Sequence, residues 1–436
     1  MIRVFSILAV FWVGLSPVQA ASNIQKVTSP GGITAWLVQE DSIPMVALQF
    51  SFRGGTSLDP LDKLGATNLM AGLLEEGAGP LDATGFAERT DELGARFRFS
   101  AGRDSVNISA SMLTSNLEES VDLLRLALVE PNFDAVAFER VRGQVNSGLR
   151  GEKTDPQAIG SKALRELTFP DHPYGLPVDG TLETVAALTP EDMRAAHAQA
   201  LGKNNVFVGA VGAITPEALG SLLDELLAGL PDGIADNVPD VTPALTAGIT
   251  SIEFDTPQSV ISFSQPGLSR DDPDYLAAYV LNHIIGGRSS TARLNVEVRE
   301  KRGLTYGISS FLLPYEHAAL FMGAFSSGNE TAAEAVKIVR QEWAKVAAEG
   351  VTAAELETAK RYLTGAYPLR FDGNAEIAGI LAGLQVAGLP ITYIGERNDL
   401  VNAVTLEEIN RVAATLFQPE KLRFVVVGQP EGLPED

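Results

Sequence analysis

The chain repeats itself, and that constrains its fold more than any other feature. Val185 to Gly212 reads VAALTPEDMRAAHAQALGKNNVFVGAVG, and Val401 to Gly428 reads VNAVTLEEINRVAATLFQPEKLRFVVVG, matching without a gap at an offset of 216 residues. Each copy opens on a Thr N-cap with acidic first-turn residues: Thr189, Glu191 and Asp192, then Thr405, Glu407 and Glu408. A helix and an apolar strand ending in Gly follow. Upstream, the helical runs Leu117 to Leu128 and Thr331 to Val339 keep almost the same offset, and each leads into what reads as a second, longer helix. Equal patterns must bury equal faces, so two copies of one fold are expected. A chain of 436 residues also exceeds what one core usually serves.

Within the first copy, Ile33 to Gln39 and Val46 to Phe52 are β-rich runs joined around Pro44, while Ala95 to Phe99 and Val106 to Met112 alternate like half-buried strands. Leu64, Leu69, Met70, Leu73 and Leu74 form an apolar stripe at helical spacing, with Gly77 as its expected stop. The fold class is therefore α+β, with two homologous domains, residues 24–227 and 249–432. Residues 228–248, AGLPDGIADNVPDVTPALTAG, carry turn signals without periodicity and read as the linker.

Thirty-three Lys plus Arg face 55 Asp plus Glu, a formal net charge of −22 that repels phosphate backbones and argues against nucleic acid as a partner. Residues 1–20, MIRVFSILAVFWVGLSPVQA, have an early Arg3, an apolar run too short to span a bilayer, and small residues at Ala20-Ala21. That is the pattern of a secretory signal peptide, so a periplasmic product with no membrane attachment after cleavage is expected. Cysteine is absent, which excludes disulfides, thiolate metal sites and cysteine nucleophiles. No G-x-G-x-x-G or phosphate-binding loop occurs, and Gly286-Gly287 reads as a turn. His172, His197, His283 and His317 are scattered and read as packing or surface residues, and Glu75 and Glu76 read as solvated.

Several strings then fall together in order: FRGGTSLDP (52–60), LLEEG (73–77), Asp155-Pro156, FPDHPYGLPVDGT (169–181) and GGRSSTARLNVEVREKRGLTYGISS (286–310). Across nearly all of residues 24–430 the chain resembles the pitrilysin-like, or inverzincin, zinc peptidases, in the branch of mitochondrial processing peptidase. The resemblance implies that each half is a mostly antiparallel sheet with helices packed on one face, and that two such chains close around a peptide. In active members H-x-x-E-H on a helix of the first half and a distal Glu hold the zinc and its water. The matching positions here are Asn68, Ala71 and Gly72, with Gly148 at the distal ligand. Both imidazoles, the general base and the distal carboxylate are thus replaced, and no metal or cofactor is expected in this chain.

The resemblance assigns a substrate-binding pair to Arg299 and Tyr306, seven residues apart in VREKRGLTYG. Arg299 is expected near the end of a helix from about Thr291, Gly303 as its left-handed stop, and Tyr306 on the following strand. Both side chains donate hydrogen bonds and so could hold a peptide carbonyl. The competing reading makes Arg299 a surface ion-pair residue beside Glu297 and Glu300. HPYG (172–175) reads as a rigid structural turn. The expected function is a non-catalytic, substrate-binding subunit of a heterodimeric zinc metallopeptidase, with zinc in a homologous partner subunit and a peptide as substrate. The alternative is an exported peptide-binding or scaffold protein with no proteolytic role.

Overall fold

The computed structural model describes residues 23–233 and 237–434, and the expected signal peptide lies outside them. The first half runs β1 (Ile24–Thr28), β2 (Thr34–Gln39), β3 (Met45–Arg53), α1 (Ala66–Leu73), β4 (Gly77–Ala78), β5 (Leu81–Asp82), α2 (Ala83–Leu93), β6 (Arg96–Ala101), β7 (Ser105–Leu113), α3 (Leu117–Val129), α4 (Ala135–Glu152), α5 (Pro156–Thr168), α6 (Leu182–Ala187), α7 (Pro190–Ala200), β8 (Val206–Gly212) and α8 (Pro216–Leu227). The second runs β9 (Gly248–Glu253), β10 (Gln258–Pro266), α9 (Tyr275–Gly286), β11 (Ile308–Pro314), β12 (Ala319–Gly328), α10 (Ala332–Glu349), α11 (Ala353–Ala366), α12 (Asn374–Val386), α13 (Tyr393–Ala403), α14 (Leu406–Leu416) and β13 (Arg423–Gly428).

One sheet has the order β1-β2-β8-β3-β7-β6 and the other β9-β13-β10-β12-β11. With β1 set aside the two orders are the same, and β2 with β8, like β9 with β13, is a parallel pair beside antiparallel neighbours. β8 and β13 therefore hold the same place in the two sheets, and the duplicated segments Val185–Gly212 and Val401–Gly428 occupy equivalent positions. Both expected Thr N-caps form, and each is a reciprocal capping box, Thr189 with Asp192 and Thr405 with Glu408.

The strands most apolar in sequence are those covered on both faces. In β2, Ala35 and Leu37 enter the first core, while Trp36 and Val38 point the other way onto Ile377, Ala378 and Leu381 of α12. In β13, Phe424 and Val426 enter the second core, while Val425 and Val427 meet Leu164 of α5. The halves thus exchange equivalent helices: α5 lies on β10 and β13 of the second sheet, and α12 on β3 and β8 of the first. Each sheet has its own helices on one face, as expected, and a single helix from the other half on the opposite face.

A second joint is the His172–Gly175 turn. Tyr174 N–H donates to His172 Nδ1 at 3.1 Å, so the ring proton sits on Nε2 and is donated to Pro239 O at 2.8 Å. The fully buried Tyr174 donates its hydroxyl to Asp104 Oδ1 at 2.6 Å and accepts from His317 N–H at 3.1 Å. The β6–β7 turn, the linker and the β11–β12 turn all meet there, the structural role expected of HPYG.

Three local expectations are corrected. Helix α1 ends at Leu73, and Gly77 (φ +118°) instead opens the β4–β5 pair, because the chain tightens through Glu76 N–H to Leu73 O at 3.1 Å. The second helix of the pair is longer in the first half, where α4 has 18 residues and α3 has 13. It is shorter in the second, where α11 has 14 and α10 has 18. Glu76 is not solvated: it is half-buried and paired with Arg140 of α4.

Candidate functional site

Helix α1 packs against α4 and α7. Its entry is set by buried Asp59, which accepts from Gly65 N–H at 3.0 Å, Thr67 N–H at 3.2 Å and Thr67 Oγ1 at 2.5 Å. Burial pushes the Asp59 carboxyl up to about 6, against the opposing pull of those donors. Asn68, one turn further on, donates its amide to Asp179 Oδ1 at 2.8 Å. Ala71 is buried, and a Cβ at Gly72 would lie 3.4 Å from Val141 Cγ1 of α4. Gly148 lies on the exposed face of α4.

These residues do not fit a zinc ion. A methyl, two bare backbone positions and an amide already committed to Asp179 offer no set of anionic or imidazole donors. Among the described residues, no group of three or more His, Asp or Glu is placed to hold a metal. Helices α1 and α4 pack directly, and just past the end of α1 Glu76 pairs with Arg140 of α4.

The second constellation lies in the other half. A short helix widens into a π-helical turn, Asn295–Glu300, and ends at Gly303 (φ +65°). Gly303 N–H bonds to Arg299 O at 2.8 Å, the left-handed αL stop, and Leu304 N–H closes a wider ring to Val298 O at 3.0 Å. Buried Asn295 holds both ends of the segment, donating to Ser289 O at 3.1 Å and accepting from Ile308 N–H at 3.3 Å. Arg299 is exposed on the last turn. Tyr306, 89% exposed, is not on the strand but in the bend two residues before β11 begins.

Glu297, the neighbour that could have claimed Arg299, pairs instead with Lys301 at 2.6 Å and Arg302 at 2.8 Å, and those bonds hold its carboxyl below the usual range. Among the described residues neither Arg299 nor Tyr306 has a hydrogen-bond or ion-pair partner for its side chain. A rigid frame thus presents two uncommitted donors to solvent. Helix α1 packs on α4, α7 and β6 in the first core, and the π-helical turn on α10 and β11 in the second.

The four histidines serve packing. Beyond His172, His197 bonds Leu128 O at 2.7 Å, and burial lowers the proton affinity of its ring. His283 stacks on Tyr362 at 4.8 Å, and His317 Nδ1 lies 3.1 Å from Asp240.

Two family descriptions match: "Insulinase (Peptidase family M16)" over residues 36–182 and "Peptidase M16 inactive domain" over residues 187–363. A non-peptidase homolog, YmxG of Helicobacter pylori, is 25% identical over 88% of this chain and 89% of its own length. The beta subunit of the yeast (Saccharomyces cerevisiae) mitochondrial-processing peptidase is 21% identical over 87% of this chain and 86% of its own. The solved structure of a peptidase M16 inactive domain from Pseudomonas fluorescens superimposes with a TM-score of 0.88 at 29% identity, covering 95% of this chain and 99% of that one. With both matched stretches lying along a duplicated fold, the chain belongs to the insulinase, or M16, peptidase family, as a non-catalytic, peptidase-like member.

Proposed function

We propose that this chain is the non-catalytic, substrate-binding subunit of a heterodimeric zinc metallopeptidase acting on peptides in the periplasm, its partner being a zinc-bearing homologous subunit. The observation that carries the reading is the contrast between the two halves. The metal positions are filled by groups that cannot bind zinc, while Arg299 and Tyr306 stand exposed, unpaired and held on a capped turn.

A guanidinium and a phenol are donors without competing internal acceptors here, suited to a peptide carbonyl oxygen and to the negative charge that develops on it. Because the donors are positioned before substrate arrives, little reorganisation opposes that stabilisation. The partner would supply the metal, and this chain the binding and orientation. The similarity to a relative named as a processing-peptidase subunit supports a two-chain arrangement.

The chain purified without chelator is expected to carry far less than one zinc per molecule and to leave unstructured peptides intact. Adding the zinc-bearing homologue should give a complex on gel filtration and raise peptide hydrolysis well above that of the homologue alone. About one zinc per chain, with activity tracking it, would overturn the reading. A complex without stimulation would favour a scaffold.

A further inference from the structure

A cavity of about 810 Å³ opens between α9, α12, α13 and the Tyr367–Arg370 turn, and none of the residues of the two constellations described above lines it. Its most telling group is Arg397, only 4% exposed. The guanidinium donates to Leu363 O at 2.7 Å, to Asn398 Oδ1 at 3.1 Å and to the Tyr279 hydroxyl at 3.2 Å, and lies 4.5 Å from the Tyr367 ring centroid. Among the described residues no carboxylate pairs with it, although the chain carries 22 more acidic than basic residues. A buried cation is normally offset by a buried anion. Here carbonyl, phenol and ring faces satisfy part of its shell, and the charge itself remains uncompensated.

The arrangement recurs on a second wall. Arg270, in the loop before α9, lies 4.4 Å from the Tyr275 ring centroid and donates to the Tyr393 hydroxyl at 3.3 Å, again with no carboxylate partner among the described residues. Burial raises the Tyr275 and Tyr367 phenols, so they stay protonated. Leu276, Ile380 and Leu384 supply apolar lining between these pairs. The exposed carboxylates Asp372 and Glu376 also border the cavity, and their like charge opposes a dianion such as a phosphate monoester more than a single carboxylate.

We propose that this cavity binds an amphipathic monocarboxylate, an apolar or aromatic body bearing one carboxylate, as at the C-terminus of a peptide or in a free N-acylated amino acid. The carboxylate meets Arg397 and Arg270, and the body lies against the tyrosine rings. Guanidinium forks match a planar carboxylate, and the volume falls in the ~300–1,000 Å³ range of small-ligand sites. The site stands on this cavity alone and is independent of Arg299 and Tyr306.

The test is calorimetric titration of the full exported chain with N-acetylphenylalanine, its amide, phenyl phosphate and acetyl-Ala-Ala-Phe. The free acid should bind at least about tenfold more tightly than the amide or the phosphate, as expected for loss of a charge-assisted hydrogen bond. Arg270→Gln should weaken the acid by a similar factor without changing the melting temperature. Should that variant lose stability, Tyr393→Phe, which removes one hydroxyl, carries the test with a smaller loss of affinity. Binding of acetyl-Ala-Ala-Phe at least as tight as that of the small acid assigns the site to peptide C-termini, and its exclusion assigns it to free small acids. Equal binding of acid and amide, no heat at millimolar acid, or full affinity in folded Arg270→Gln and Tyr393→Phe overturns the proposal.

Discussion

Glu355 takes both arms of Arg293, at 2.6 and 2.8 Å, and closes the capping box of α11 with Thr352, fastening the segment that leads to Arg299. The Arg293 hydrogen bonds hold its carboxyl down, at about 2 against an ordinary 4.5. A carboxylate with a depressed folded value stabilises the native state above its unfolded value, and that contribution is lost as the pH falls from 4.5 towards 2. At ~1.4 kcal/mol per unit the ceiling is about 3 kcal/mol. With 31% of the side chain exposed, solvent screening lowers the expected effect to about 1–2 kcal/mol. Urea midpoints measured between pH 2.5 and 7 should show this loss in the wild type and not in Glu355→Gln, and identical profiles would contradict it. At this scale the left-handed stop at Gly303 was legible in the sequence, because that conformation favours glycine. That Glu297 would choose Lys301 and Arg302 over Arg299 was not, because competition among neighbouring charges is decided by rotamers rather than spacing.

Helix α12 approaches β8 so closely that a Cβ at Gly209 would lie 2.0 Å from Ala378 O, while Gln385 donates to Val208 O at 2.8 Å. Backbone cannot yield as a side-chain tip can, so Gly209→Ala should cost about 1–3 kcal/mol, the usual penalty of overpacking. A urea midpoint within error of the wild type would show that α12 docks more loosely than described. The strands, their alternation and both Thr-capped helices were readable because each follows from local periodicity or a cap. The helix exchange was not readable: an apolar helical stripe shows that a face is buried and is silent about which sheet covers it. The unbroken apolar runs VFVGAVG and RFVVVG were the available signal, since a strand reads that way when both its faces are covered. Tyr306 fell in a bend because Asn295 takes the first strand amide, at Ile308, and thereby sets where β11 begins.

Across the whole molecule, the exchange of α5 and α12 means that cutting the linker separates each sheet from one of its covers. Fragments 23–233 and 237–434 expressed alone should lack cooperative unfolding, and co-expressed they should assemble and regain it; a cooperative transition in either fragment alone would contradict the exchange as a stabilising device. The same construction holds α1 in the core of one half and the turn carrying Arg299 and Tyr306 in the core of the other. On the proposed function, the second half completes a partner's site. The most direct test is turnover of a quenched fluorescent peptide by the reconstituted pair carrying Tyr306→Phe, which deletes one hydroxyl from an exposed ring and leaves the packed turn untouched. Normal complex formation is expected, with hydrolysis reduced on the order of 100- to 1,000-fold, as for loss of one preorganised donor. Full turnover in a normally assembled pair would contradict it.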